Sequence, residues 1–331
     1  MQSIAPDDSG MRASALGFGC SAIMGRVGRR ASLAALTAAY DAGITFFDTA
    51  RSYGYGESEA LLGEFLRGRR DSVLLSTKFG IMPAATSPLK RALKPLARTL
   101  LRLAPSARQA MQRQLTAMSS PGHFSVAALH TSLHASLRAL RTDYVDFLFL
   151  HEATASVLQQ QDLLSALENL VTAGKIRRFG IASQPDVIEA ALAAHLPALQ
   201  SVQFPCNLFN LGVADRLAPA GSDIIAIANH PFGGAAGIAA GKALLTSLAS
   251  TPETSTALRE KLRPADDAAL ADIVLNTITH DAGVQIVVPS MLRLDHLRAN
   301  LAAMERSRFS SEELYWLRSA ITAKSIAKPQ L

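Results

Sequence analysis

Residues 41–50 read DAGITFFDTA, and the order of residue types in that stretch carries most of the architecture. An Ala-Gly pair ends an alanine-rich polar segment, four apolar or β-branched residues follow, and an aspartate closes the run. Glycine just past a helix supplies the left-handed C-terminal cap, so the chain turns there from helix into strand. The same punctuation recurs as TAGKIRRFGIA at 172–182 and DAGVQIVVP at 281–289. A unit used three times predicts a repeated helix-strand element and hence a parallel sheet.

Working outward, short apolar runs predict strands at 15–19, 45–48, 73–78, 145–151, 176–181, 201–204, 223–228 and 284–289. Amphipathic stretches predict helices at 32–42, 58–66, 126–140, 158–173, 186–194, 266–281 and 293–307. Eight strands at this spacing favour an α/β fold of the (β/α)8 TIM-barrel type, one domain over residues 1–331. Gly17, Gly19 and Gly25 do not make a GxGxxG after the first strand, which removes the main support for a Rossmann sheet. Two connections are too long for simple turns: the insertion 79–124 after the third strand and the loop 230–264 after the seventh. In a barrel both leave from the C-terminal face, and both are candidate lids.

Composition narrows the function classes. With 331 residues, 49% of them hydrophobic, the chain can bury a large core. Its two cysteines, Cys20 and Cys206, form no CxxC pair, so neither a disulfide framework nor a thiolate metal site is expected, and a reducing cytoplasm fits. No run approaches the length of a membrane span. The net charge of +6 is modest for this length and gives no footprint for nucleic acid. Its distribution is uneven: no acid occurs between Asp71 and Asp143, where Lys90, Arg91, Lys94, Arg98, Arg102, Arg108 and Arg113 cluster. Leu89, Leu93, Leu96, Leu100 and Leu103 recur at helical spacing among those cations, broken by Pro95 and Pro105. This insert reads as a lid with a solvated cationic face, as a wall that attracts an anionic substrate or cofactor phosphates, or as a membrane-surface contact. Cys206 reads as a small buried side chain.

Polar residues close three of the predicted strands: Asp48 after ITFF, Lys78 after VLLST and His151 after VDFLFL. Tyr53 follows in the glycine-studded loop FFDTARSYGYGESE. Singly, each reads best as a cap or an exposed strand terminus. Together, an acid, an ammonium, an imidazole and a phenol on one barrel rim have a chemical role. A phenol keeps its proton at neutral pH, near a pKa of about 10, and can give it to an oxygen becoming an alkoxide. Lys78 would lower that pKa, Asp48 would hold Lys78, and His151 would orient a carbonyl. The set lacks only a reductant.

The stretches FFDTARSYGYGESEALLGEFL, STK, TDYVDFLFLH, GKIRRFGIAS and SVQFPCN, in that order, resemble the aldo-keto reductase family. The resemblance implies a (β/α)8 barrel that moves hydride between a nicotinamide cofactor and a small-molecule carbonyl or alcohol. It makes Tyr53 the general acid, Lys78 and Asp48 its tuning pair, and His151 the orienting residue. It places cofactor contacts at Gly19 and Cys20, at Ser183 and Gln203 for the carboxamide, and at Asn229 or His230 beneath the ring. The turn Pro231, Phe232, Gly233 and Gly234 would cover the pyrophosphate, and Ser290, Arg293, His296 and Asn300 would meet the adenosine end. Ala182-Ser183 replaces the family's Ser-Asn pair, and the nearby Arg293 favours NADP(H) over NAD(H), with no metal. Two other classes remain open: a redox-sensing or regulatory barrel with vestigial activity, and a lyase using Lys78 as a Schiff-base amine. Substrate identity, physiological direction and oligomeric state are not written in the sequence.

Overall fold

The computed structural model describes residues 3–4, 12–82, 122–194, 199–217, 224–279 and 283–326. A short antiparallel hairpin, β1 (Ser3–Ile4) with β2 (Ala13–Ser14), precedes the main sheet. That sheet holds β3 (Phe18–Gly19), β4 (Phe46–Asp48), β5 (Leu74–Phe79) and β6 (Val145–His151). It continues through β7 (Ile176–Ala182), β8 (Ser201–Pro205), β9 (Ile225–Asn229) and β10 (Ile286–Val288). Neighbours follow chain order, and every pairing within it is parallel. The two edges then meet: Gly17 N donates to Val287 O at 2.8 Å, Val287 N to Ala15 O at 2.9 Å and Gly19 N to Pro289 O at 2.9 Å. The eight predicted strands therefore close into the expected barrel, each within a few residues of its predicted bounds. Gly43, Gly174 and Gly283, the glycines of the repeated punctuation, all have positive φ, at 86°, 66° and 62°.

Period-2 alternation decides which side chains enter the barrel. On β6, Leu148 and Leu150 face the outer helices, while Phe147 and Phe149 belong to a separate inner cluster with Phe46, Leu74, Ile225, Ile227, Ile286 and Val288. Phe147 meets Phe46 edge-on at 5.8 Å and stacks on Phe149 at 6.1 Å. Continuing the inward parity upward gives Asp48 on β4, Ser76 and Lys78 on β5, His151 on β6 and Gln203 on β8. The barrel thus has an apolar floor and a polar top layer.

Several expectations need correction. The connection 230–264 is no open loop: it forms the helices Gly234–Ala249 and Thr256–Leu262. Glycine at 234, 237 and 241 depresses helix propensity and blurs the apolar stripe, so the pattern hides a helix whose Leu245 and Leu248 are fully buried. The helices Gly212–Leu217 and Ser311–Ile326 and the N-terminal hairpin also went unpredicted. The predicted helix 158–173 starts only at Gln161, after a 3-10 turn at Ala155–Gln159. Residues 83–121, with the leucine and arginine pattern of the insertion, lie outside the described residues. Its ends are described: His123 N donates to Gly80 O at 3.0 Å, and Phe124 packs edge-on against Phe79 at 5.7 Å.

At the N-terminal end of the barrel, outward-facing Asp146 is fully buried. It accepts from Arg70 Nη2 at 2.8 Å and Leu75 N at 2.8 Å and forms an ion pair with Arg177 Nη1 at 3.1 Å, and both guanidiniums lie over the Tyr144 ring. Burial pushes the Asp146 carboxyl up, and Arg70 opposes it. Removing the charge from such a network leaves arginines uncompensated. Asp146→Asn should cost about 3 kcal/mol of stability in urea unfolding; an unchanged midpoint would show the network to be dispensable.

Candidate active site

Asp48, Lys78, Tyr53 and His151 gather at the C-terminal end of the strands. The centre is an ion pair out of reach of water: Lys78 is 1% exposed and Asp48 3%. Lys78 Nζ donates to both Asp48 oxygens at 2.7 Å and to Thr49 O at 3.0 Å. Asp48 Oδ1 also accepts from Ser76 Oγ at 2.6 Å and from Gln203 Nε2 at 3.0 Å. Tyr53 leans over this pair, with Lys78 Nζ 4.8 Å from its ring centre and the His151 ring edge-on at 6.1 Å.

The loop that delivers Tyr53 explains the DTARSYGYGESE pattern. Thr49 Oγ1 and Ser58 Oγ are 3.0 Å apart, and Ser58 Oγ reaches Cys20 O at 3.3 Å. Buried Glu59 accepts from Thr77 Oγ1 at 2.7 Å and pairs with Arg51 at 3.5 Å. Gly54 sits at φ 59°, where an added Cβ would meet Ile23 O at 2.7 Å. The next residue, Tyr55, is also left-handed at φ 60°, a strained state for a bulky side chain that the surrounding bonds must hold.

Electrostatics differ in one respect from the expectation. Burial raises the Tyr53 phenol above its usual range, Lys78 pulls it down, and the net direction is up. Lys78 offsets part of the desolvation penalty on the phenolate without cancelling it. Burial alone would lower Lys78, but Asp48 and Tyr53 raise it, so it stays an ammonium. That state is unsuited to Schiff-base attack, which needs a free amine. His151 is lowered to about 3, by burial first and then by the Lys78 charge, so its ring is neutral at physiological pH.

The residues assigned to the cofactor surround this centre unevenly. Gly19 pairs with Asp48 across the sheet, and Cys20 is fully buried close enough to feel Asp48 and Lys78. Gln203 is fully buried, and its Oε1 has no partner among the described residues. The Ser183 hydroxyl donates to Ala153 O at 3.0 Å. Asn229 Oδ1 lies 3.0 Å from His230 Nδ1, and His230 is left-handed at φ 51°. Pro231 is buried, Phe232 half-buried, and Gly233 (φ 62°) precedes a 16-residue helix whose first turn has no side-chain cap. Asn300 is buried, whereas Ser290 and Arg293 are exposed. Arg293 is held by Asp295 through Nε at 3.0 Å and through Nη2. Cys206 is buried, its thiol pushed up to about 12. An orphaned buried acceptor at Gln203, expected to meet the carboxamide, and uncapped helix N–H groups after Gly233, expected to meet the pyrophosphate, fit a dinucleotide. Sequence reasoning missed Ser76, although STK places it two residues before Lys78 on the same strand face.

The chain folds as a parallel (β/α)8 barrel with this cluster on its C-terminal face, and the sequence profile of the Aldo/keto reductase family matches residues 15–321. The chain belongs to that family, whose members are NAD(P)-dependent oxidoreductases. It is similar to Aldo-keto reductase YhdN of Bacillus subtilis, 29% identical over 226 residues that cover 65% of this chain and 57% of that protein. It is also similar to the aryl-alcohol dehydrogenase [NADP(+)] of Phanerodontia chrysosporium, 29% identical over 49% of this chain and 36% of that one. Such matches span about a third to just over half of the curated relatives' length. Among solved structures, a thermostable aldo-keto reductase with the inhibitor epalrestat aligns at TM-score 0.65 and 22% identity, covering 97% of this chain and all of that one. A holo aldo-keto reductase from Bacillus halodurans aligns at 0.64 and 22%, covering 97% and 96%. Both show the fold.

His151 links the site to stability. Below about 6.5 the unfolded chain protonates this ring, while the folded protein resists until about 3, so its contribution to stability is lost as pH falls through that window. In thermal melts, the difference between wild type and His151→Gln should therefore be flat above that window and shift against wild type within it; parallel curves at every pH would refute the neutral ring.

Proposed function

We propose that this protein is an NADP(H)-dependent carbonyl reductase, reducing an aldehyde or ketone to an alcohol or running the reverse, with Tyr53 as the proton donor. The observation that carries the reading is the Tyr53 phenol held against a buried ammonium and a neutral imidazole at the end of one barrel. When bound, the nicotinamide supplies or accepts the hydride. The chain's own groups do the rest. A carbonyl oxygen seated between the Tyr53 hydroxyl and the His151 ring receives two donors, which fixes its orientation. As negative charge develops on that oxygen, Tyr53 releases its proton, and the Lys78 ammonium stabilises the phenolate left behind. Asp48 keeps Lys78 charged. The intact cluster speaks against a vestigial, purely sensing barrel.

For the cofactor, relatives named for NADP(+) support the phosphorylated form. Arg293 would grip the 2′-phosphate, with Ser290, His296 and Asn300 alongside. Asp295, held down to about 2 chiefly by its hydrogen bond from Arg293, competes for the same guanidinium. We assign residues 79–124 to the substrate side as a lid-like insertion within a single domain, because its ends join the barrel at Gly80 and Phe124, beside Lys78. A cytoplasmic location suits two buried free cysteines.

Mixing the protein with NADPH or NADH and a panel of aliphatic and aryl carbonyls, and following nicotinamide absorbance, tests the activity. Tyr53→Phe should lower turnover by about 100-fold or more, with cofactor Kd changed less than about twofold; full activity would remove Tyr53 from the mechanism. Asp295→Asn should free Arg293 and tighten NADP+ binding by roughly threefold while leaving NAD+ unchanged. An equal effect on both cofactors would place the 2′-phosphate elsewhere.

A further inference from the structure

Asp48 Oδ1 accepts three donors, from Ser76, Lys78 and Gln203, whereas Oδ2 takes Lys78 alone. Gln203 is the only one of these donors with two interchangeable ends. Its carboxamide could present either nitrogen or oxygen to a neighbour, and the surroundings decide which. A carboxylate can only accept, so the end facing Asp48 must be Nε2, at 3.0 Å. Turning the amide over would set two acceptors against each other in a site closed to water. Oε1 is thereby forced to the opposite side, where it is buried without a partner among the described residues. A buried acceptor left unpaired is costly unless something bound supplies a donor.

Neighbouring positions sharpen the point. Ala182, opposite Gln203 in the sheet, has no polar side-chain group, and the Ser183 hydroxyl is committed to Ala153 O. Of these three positions only Gln203 carries a buried side-chain acceptor that makes no hydrogen bond at all among the described residues. We infer that Asp48 is also a positioning residue for the cofactor: by fixing the Gln203 amide it leaves a single acceptor that selects the N–H of the nicotinamide carboxamide. The inference rests on the reductase reading. One carboxylate then serves two tasks, holding Lys78 beneath Tyr53 and setting the hydrogen-bond polarity of the ring site.

The test needs no turnover. Binding of NADP+ and of its 3-acetylpyridine analogue, in which a methyl replaces the amide nitrogen, is measured by calorimetry on the full chain. Wild type should prefer NADP+ by roughly five- to tenfold, the worth of one hydrogen bond to a preorganised buried acceptor. Gln203→Met should reduce the preference to less than about twofold. Asp48→Asn should do the same from one residue away, because an amide at 48 can donate or accept and lets Gln203 turn over. Asp48→Ala, which removes the acceptor without adding a donor, is the second variant should the first fail to fold, with circular dichroism as the check. Equal affinities in wild type, or a preference that survives in a folded Asp48 variant, would overturn the inference while leaving the reductase reading in place. Binding of neither dinucleotide would overturn both.

Discussion

An ammonium and a carboxylate face each other at 2.7 Å with almost no solvent contact, and most of the site follows from keeping them there. Burying either charge alone would be prohibitive, and burying both is tolerable only with good geometry and with the remaining protons and lone pairs occupied. The barrel provides this. Parallel pairing sets Asp48 opposite Ser76, with Lys78 two residues further on the same face, so β4 and β5 deliver the pair from their backbone register. Thr49 O accepts from Lys78, and Ser76 Oγ and Gln203 Nε2 donate to Asp48 Oδ1. The phenol above can then feel a full positive charge in a low-dielectric setting, where such an interaction is strongest.

The two ends of the barrel use buried charge differently. Below, Asp146 lies between two arginines that stack on Tyr144 and tie β5, β6 and β7 together, with every partner on the outer side of the strands. Above, the charges point inward and lie against the Tyr53 ring. The intervening layer of Phe46, Phe147 and Phe149 separates the two systems. Structure and chemistry are thus kept apart along the strand axis.

Much of this was legible in the chain. The Ala-Gly punctuation and the alternation along VDFLFLH give the repeat, the strands and the inward parity of His151, because local backbone preference and burial agree there. Asp48, Lys78 and His151 stand out as polar ends of apolar runs. The bond from Gln203 to Asp48 could not be read, since it joins residues 155 apart that only barrel closure brings together. The helix Gly234–Ala249 was hidden because glycine weakens its pattern and packing makes up the deficit. The net rise at Tyr53 was misjudged because the nearby ammonium is visible in the sequence and the depth of burial is not.

The hydrogen bond between His123 and Gly80 joins the exit and return points of the chain around residues 81–122. With the crossing edge of Phe124 on Phe79, it staples the neck of the excursion shut where it meets the barrel. Whatever is threaded between those points makes little demand on strand register, since closing a longer or shorter loop changes the entropic cost only slowly with length. The two anchoring contacts therefore allow the length of chain between residues 80 and 123 to vary while the strand that carries Lys78 keeps its register.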